Sequence, residues 1–206
     1  MSEMDESSLS TAEEATPVRK RPRPGERRQQ ILQTLASMLE QPGAERVTTA
    51  SLAAKIGVSE AALYRHFASK AQMFEGLIDF VDQSVIGLIR QVTDREGAGP
   101  NQAARIVALL LQFAEKNPGM CRVMTGDALV MEHERLQERI NLLFDKIEAQ
   151  LRQSLKGIAS EAPTADAQVA ASVMVAFMQG RLQRFARSGF KRLPSEHLQA
   201  ALGRML

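Results

Sequence analysis

The fold of this chain is decided by the stretch from residue 49 to residue 67, which reads TASLAAKIGVSEAALYRHF. The small residue Ala53 lies four residues before Gly57, so two helices can cross closely while the glycine adopts the positive φ of a tight turn. This spacing predicts a helix-turn-helix, a motif whose second helix lies in the major groove of DNA.

Hydroxyl side chains mark the beginnings of the two helices of this motif. Thr48 or Thr49 can cap the first helix by accepting a hydrogen bond from one of its free amides, and Ser59 can cap the second. We expect the second helix to end near His66, and Ser69 can cap the long helix that follows.

The second helix of the motif has one apolar side and one polar side. Val58, Leu63 and Phe67 share the side that faces the first helices, which leaves the other side free to face a duplex. Free amides at helix starts also favour nearby phosphates. The residues predicted to contact DNA are Thr48, Thr49, Lys55, Ser59, Glu60, Ala61, Tyr64, Arg65, His66 and Lys70.

Charge is distributed unevenly along the chain. The whole chain has 26 Lys and Arg, 24 Asp and Glu, and a formal net charge of +2. Residues 1–16 carry five acids and no base, whereas residues 17–70 carry ten bases and four acids, a net charge of +6. A basic segment around a helix-turn-helix is typical of a protein that binds nucleic acid.

The polar first segment, residues 1–25, contains almost no large apolar side chain, so we expect a disordered arm. The basic residues from Arg19 to Arg28 can follow the DNA backbone or enter a minor groove, which is the role we favour. The alternative is a solubilising tail that contacts no DNA.

The rest of the chain predicts an all-α fold, because apolar residues recur at helical spacing between caps and Gly or Pro breaks. No stretch has the pattern of a strand. We expect helices from Glu26 to the Pro42-Gly43 stop, from Ser69 to about Thr93, from Asn101 to Lys116, from Met120 to Thr125, from about Leu129 to Lys156, from Asp166 to about Arg187, and after Pro194-Ser195, with a turn-rich break from Gly157 to Pro163.

One longer pattern resembles the DNA-binding domain of TetR-type regulators. The pattern is Thr49-x2-Leu-Ala-x3-Gly-Val-Ser-x3-Leu-Tyr-x-His-Phe-x-Ser-Lys-x2-Met-Phe74. The resemblance implies a TetR-like fold, with an N-terminal three-helix helix-turn-helix domain and a C-terminal helical bundle. The boundaries we expect are an arm over residues 1–25, the DNA-binding domain over 26–72, and a dimerisation and partner-binding domain over 73–206.

Further segments resemble one group of TetR-type proteins, the nucleoid occlusion factors. They are Ser59-Glu-Ala-Ala-Leu-Tyr-Arg-His-Phe67, Asn117-Pro-Gly119, Asp127-Ala-Leu129, Arg139-Ile-Asn141 and Ile147-Glu-Ala-Gln-Leu-Arg-Gln153. The resemblance extends over most of residues 26–192, and the longer arm departs from it. It implies a homodimer that binds palindromic chromosomal sites and, when bound to double-stranded DNA, inhibits assembly of the tubulin-like division protein FtsZ over the nucleoid.

Phe80 provides a separate indication of a protein partner. A rotation of about 100° per residue places it about 120° away from the apolar face of its helix. It is either exposed, as part of a docking surface with Lys116 and Asn117 as possible neighbours, or buried against another helix.

A dimer is expected because two helix-turn-helix motifs about 34 Å apart can bind a palindrome. The helix from Asp166 to about Arg187 is apolar almost all round and contains small residues that allow a partner helix to approach. These small residues are Ala167, Ala170, Ala171, Ala176 and Gly180. The alternative for this helix is burial within one protomer.

Two functions remain open for the C-terminal region. It can bind a division protein, or it can hold a small-molecule effector that releases a TetR-type repressor from DNA. The chain has no Trp and a single Tyr, which lies in the helix-turn-helix, so aromatic pocket linings are sparse and the first function is favoured.

No enzyme motif, cofactor site or metal site is predicted. His133 and His197 lack a second ligand at metal spacing, and Cys121 lacks a histidine and acid arranged to activate it. The single cysteine excludes an internal disulfide, and no secretory signal or apolar run of membrane-spanning length is evident. We therefore expect a cytoplasmic, nucleoid-associated protein.

Overall fold

The computed structural model describes residues 25–41, 47–156 and 163–206, and within these ranges the chain forms helices and turns without a strand. The all-α prediction is confirmed. The helices are α1 (Glu26–Leu39), α2 (Thr49–Ile56), α3 (Glu60–Tyr64), α4 (Lys70–Thr93), α5 (Pro100–Lys116), α6 (Pro118–Met124), α7 (Glu134–Leu155), α8 (Pro163–Arg187) and α9 (Leu198–Met205), with a 3-10 turn at Asp127–Leu129.

Helix α1 packs against α2, α4 and α6, and α3 packs against α2. The α1 residues Ile31, Leu35 and Leu39 recur at helical spacing and are buried, and they face α2, α4 and α6. Close approach of α6 depends on Gly119, because a Cβ there would overlap the carbonyl oxygen of Ala36 in α1. The N-terminal helices are therefore fixed directly to the C-terminal part of the molecule.

The long helix α4 connects the two parts. The Ser69 hydroxyl accepts a hydrogen bond from Gln72 N at its start, as predicted, and the helix continues for 24 residues. It contacts α1 in the N-terminal part of the chain and α5, α6 and α7 in the C-terminal part. The predicted domain boundary at residue 72 thus lies inside one continuous helix.

The C-terminal helices form a bundle in which α7 packs on α4, α5 and α8. The stripe of apolar residues along α7 drifts at a spacing of 3.6 residues, which is typical of a bundle helix. All of its members are buried: Leu136, Ile140, Leu143, Ile147, Leu151 and Leu155.

Several helix boundaries differ from the predicted ones, and local hydrogen bonds and prolines explain the differences. α7 begins at Glu134 and not near Leu129, because the 3-10 turn precedes it and His133 Nδ1 accepts a hydrogen bond from Arg135 N at its start. α5, α6 and α8 each begin on a proline, a residue that is tolerated at the first helical position.

Three predicted features lie outside the described residues: the arm before residue 25, the Pro42-Gly43 stop, and most of the break from Gly157 to Pro163. Among the helices of the described ranges, none combines the length and apolarity needed to cross a bilayer.

Candidate nucleic-acid interface

The turn between α2 and α3 has the geometry that the sequence predicts. Gly57 adopts a left-handed conformation with φ of 78°, and its N–H donates to the carbonyl oxygens of Ala53 and Ala54. Ala53 is buried, and its carbonyl also accepts a hydrogen bond from Val58 N at 3.0 Å. The small residue and the glycine therefore hold the two helices close together.

Thr48, and not Thr49, caps α2. Its side-chain oxygen accepts a hydrogen bond from Ser51 N, while Ser51 Oγ accepts one from Thr48 N. Ser59 occupies the N-cap position of α3, as predicted, but its side chain makes no hydrogen bond to the helix. The Ser59 hydroxyl is exposed and remains available to a ligand.

The helix α3 has the two sides that its sequence predicts. Leu63 and the following Phe67 are buried, and Val58 is partly buried against the same core. Tyr64 is 46% exposed, which is high for an aromatic side chain. The residues predicted to face outward are all exposed: Ser59, Glu60, Ala61, Tyr64, Arg65 and His66.

Two of the predicted DNA-contacting residues contact each other. Thr49 Oγ1 in α2 donates a hydrogen bond of 2.6 Å to Glu60 Oε2 in the first turn of α3. A carboxylate repels phosphate, and here it accepts a hydrogen bond that joins the two helices. The structure thus gives Thr49 and Glu60 a positioning contact that sequence spacing does not reveal.

The basic residues of the motif differ in their exposure and in whether they form an ion pair. Lys55 in the last turn of α2 and Arg65 after α3 are exposed. Lys70 at the start of α4 forms an ion pair with Glu132, from the segment before α7, and its side chain is only 30% exposed. Its charge is partly compensated within the protein before any phosphate approaches.

The sequence predicts that Arg28 contacts DNA as part of the basic arm, but in the structure it contacts the segment that follows α3. It lies in the first turn of α1, and its Nη1 donates a hydrogen bond of 2.8 Å to the carbonyl oxygen of His66. Its guanidinium also lies 4.0 Å from the centre of the Phe67 ring. No local pattern could reveal this contact, since the partners are 38 residues apart.

The predicted partner-binding residues have different surroundings. Phe80 is 49% exposed, so of the two alternatives for this side chain the structure shows the exposed one. Lys116 at the end of α5 is exposed as well. Asn117 is partly buried and its Nδ2 donates a 2.7 Å hydrogen bond to the Phe113 carbonyl, so its amide is already used in joining α5 to α6.

The outer face of α8 is apolar and open. Val169 is 64% exposed and Val173 is 48% exposed. Ala176 and Gly180 are exposed on the same helix, and a Cβ at Gly180 would meet no other atom. Two of the small residues predicted to face a partner helix, Ala167 and Ala171, are instead buried inside the protomer.

Cys121 is buried between α6 and α8, where its Sγ lies 3.6 Å from the Leu182 carbonyl oxygen. Burial, with a smaller contribution from the negative charge of Asp127, raises the pKa of its thiol to about 12. The thiol is therefore protonated at neutral pH and not activated as a nucleophile.

Comparison with known proteins agrees with this geometry. Residues 31–77 match the model of bacterial regulatory proteins of the tetR family, and residues 101–204 match a SlmA-like model described as a tetracyclin repressor-like C-terminal domain. Among solved structures, the fatty acid degradation regulator FadR of Bacillus halodurans is 13% identical with a TM-score of 0.71, covering 88% of this chain and 95% of that one. The TetR-family transcriptional regulator PfmR of Thermus thermophilus is 21% identical with a TM-score of 0.67, covering 87% and 95%.

Much higher identity is found with proteins named nucleoid occlusion factor SlmA. The protein of Idiomarina loihiensis is 49% identical over 177 residues, which cover 84% of this chain and 90% of the relative. That of Photobacterium profundum is 50% identical over 175 residues, covering 83% and 89%. The chain therefore belongs to the TetR family of bacterial regulatory proteins and, within it, to the family of the SlmA nucleoid occlusion factors.

Proposed function

We propose that this chain is a homodimeric, sequence-specific DNA-binding protein, not an enzyme, that acts as a nucleoid occlusion factor. The observation that carries the proposal is α3 and the two residues after it: Tyr64, Arg65 and His66 are exposed, while Leu63 fixes the other side of the helix in the core. A helix oriented in this way can place its exposed side chains in a major groove.

The residues around α3 have the chemistry of phosphate contacts. Thr48 lies at the N-terminus of α2 and Lys70 at that of α4, where the helix dipole favours a negative charge. Lys55 adds an exposed positive charge at the end of α2. In the proposal these side chains orient the protein on the duplex, and Ser59, Ala61 and the exposed residues of α3 contact base edges.

The outer face of α8 is the proposed dimer interface. Val169 and Val173 expose apolar surface to solvent, and Gly180 allows a second helix to approach closely. A two-fold interface on this face pairs two DNA-binding motifs, so that each dimer contacts both halves of a palindrome.

The target of the DNA-bound dimer is proposed to be FtsZ, on the strength of identity near 50% to nucleoid occlusion factors over most of the chain. The domain of residues 73–206 would then serve both dimerisation and partner binding. Phe80 is the proposed centre of the docking surface, since half of an aromatic side chain is open to solvent there. Lys116 adds charge at the end of α5, and Asn117 contributes chiefly by orienting that end.

A repressor released by a small-molecule effector is the less favoured function. One cavity between α6, α7 and α8 has a volume of about 150 Å³ and a lining that includes Gln137, Asn141 and Gln183. Drug-sized ligands bind in pockets of roughly 300–1,000 Å³ that are mostly apolar. This polar cavity is small for such an effector, and larger pockets of about 400 and 480 Å³ are open surface grooves. The identity to nucleoid occlusion factors favours the other function.

DNA binding is tested by selecting duplexes from a random pool with the purified protein at moderate salt. We expect recovery of a palindrome that binds at least about 1,000-fold more tightly than an unrelated duplex, as is usual for specific binders. Recovery of no preferred sequence would overturn the proposal.

Inhibition of FtsZ is tested by sedimenting FtsZ polymers in the presence of GTP, with and without the selected palindrome. We expect the protein to reduce the pelleted FtsZ, and the palindrome to strengthen this effect. Phe80→Ala should abolish the reduction and retain DNA affinity, because it removes only the exposed ring. Gln83→Ala, one helical turn away and also exposed, is the matched control and should behave like the unsubstituted protein.

A further inference from the structure

The short helix α3 needs external support to keep one orientation. It contains five residues, and isolated helices shorter than about 12 residues are marginal in water. Leu63 and Phe67 anchor its inner side. Apolar contacts of this kind are not directional, however, so they resist rotation of the exposed side less than hydrogen bonds do.

Hydrogen bonds from other helices hold both ends of α3. At its start, Thr49 Oγ1 in α2 donates to Glu60 Oε2. At its end, the chain leaves the helix through His66, whose N–H donates to the Leu63 carbonyl and whose carbonyl accepts from Arg28 Nη1 of α1. The His66 carbonyl lies just beyond the last turn of α3, and a cation at that end complements the helix dipole.

The same guanidinium also contacts the aromatic anchor of this segment. Arg28 Cζ lies 4.0 Å from the centre of the Phe67 ring, within the range of a cation–π contact. Phe67 is 1% exposed, whereas Arg28 is exposed, so the guanidinium covers the outer face of a buried ring. A planar guanidinium can stack on a ring and donate a hydrogen bond at the same time, which lysine cannot do.

We propose that Arg28 is a positioning residue for DNA recognition, which sets the angle of α3 by holding the His66 carbonyl and the Phe67 ring. Arg28 contacts neither base nor phosphate in this role. The inference rests on the proposed function, since it requires that α3 contacts DNA.

The adjacent arginine is a matched control. Arg27 has the same charge as Arg28 and lies in the same helix, but its Nη1 donates a 2.7 Å hydrogen bond to Gln30 Oε1 within α1. Substituting Arg27 therefore removes one positive charge near the duplex without removing a contact to the α3 segment.

The test compares Arg28→Ala, Arg28→Lys and Arg27→Ala by their affinities for the selected palindrome and for an unrelated duplex, each at several salt concentrations. For Arg28→Ala we expect affinity for the palindrome to fall about tenfold, because a hydrogen bond from a charged donor and a stacking contact are both lost. Affinity for the unrelated duplex should stay within about twofold, because non-specific binding depends on charges near phosphate. Arg27→Ala should leave the ratio of the two affinities unchanged.

The salt dependence separates positioning from direct contact. Loss of a phosphate contact makes the slope of log K against log salt shallower by about 0.9. The slope for Arg28→Ala should equal that of the unsubstituted protein, and Arg28→Lys should recover part of the lost specificity because it keeps a donor. A shallower slope with equal loss on both duplexes, or an unchanged palindrome affinity, would overturn the inference.

A measurement without DNA keeps the inference separate from the proposed function. Amide hydrogen exchange at His66 and Phe67, both bonded to the Leu63 carbonyl, should become faster in Arg28→Ala and not in Arg27→Ala. Equal exchange in the two variants contradicts the positioning role of Arg28. Failure of the unsubstituted protein to prefer any duplex contradicts the proposed function instead.

Discussion

The helices α3 and α8 both present one face to solvent, but the two faces have opposite chemistry. α3 is five residues long and exposes Tyr64, followed by the exposed Arg65 and His66, whereas α8 is 25 residues long and exposes Val169 and Val173. Hydrogen bonds from other helices hold the ends of the short helix. The long helix packs against α7, where Gln168 hydrogen-bonds to Arg152 and Glu148, so its position rests on an extended helix contact as well as on hydrogen bonds.

This difference indicates two kinds of partner. A polar face with an exposed arginine suits the phosphates and base edges of a duplex, since these groups offer charge and hydrogen bonds. An apolar face suits another protein surface, and the self-complementary case is a second copy of the same helix. The comparison predicts that charge changes on α3 alter DNA binding, whereas charge added on α8 alters assembly.

The largest effect is expected from Val173→Glu on α8. Burial of an unpaired carboxylate at the proposed interface should weaken the dimer by at least about 100-fold, since an unpartnered buried charge costs several kcal/mol. The affinity for the palindrome should fall as well, because a monomer contacts only one half of it. Sedimentation velocity over a range of concentrations measures the dimer, and Gln199→Glu on α9 adds the same charge at another exposed position. If Val173→Glu leaves the dimer dissociation constant unchanged, the dimer interface does not include this face of α8.

A smaller effect is expected from Arg65→Ala after α3. Loss of one contact from an arginine to DNA costs about 1–3 kcal/mol, so palindrome affinity should fall by about 5- to 150-fold while the dimer is retained. Arg95→Ala is the matched control, because it removes an exposed arginine beyond the far end of α4, about 35 Å along that helix from Lys70. Equal losses in the two variants would mean that only total charge matters.

The smallest effect, and the only gain, is expected from Glu132→Gln. It releases Lys70 from its ion pair, so affinity for DNA at low salt should rise about threefold and the salt slope should steepen by up to about 0.9. Glu134→Gln removes a neighbouring exposed acid and separates this effect from a general loss of negative charge. If Glu132→Gln and Glu134→Gln bind DNA with equal affinity, loss of the ion pair does not increase the contribution of Lys70 to DNA binding.

Much of the candidate site could be predicted because its determinants are local. Three kinds of signal determine structure within one or two helical turns of the chain: a small residue before a glycine turn, a hydroxyl side chain at a helix start, and apolar residues at helical spacing. Thus the Gly57 turn, the cap at Ser69 and the burial of Leu63 and Phe67 all agree with expectation. Exposure of Phe80 was one of two alternatives, because the sequence does not show whether a neighbouring helix covers that side.

The sequence by itself determined the all-α class, the order of the helices and which side of α3 is buried, because helical periodicity fixes which residues share a face. Only the tertiary structure decided which groups the charged side chains contact. Arg28 contacts a carbonyl 38 residues away, and Lys70 pairs with a carboxylate 62 residues away. The physical reason is that a long flexible side chain can satisfy its charge with any group within reach, and packing of distant helices determines which group that is.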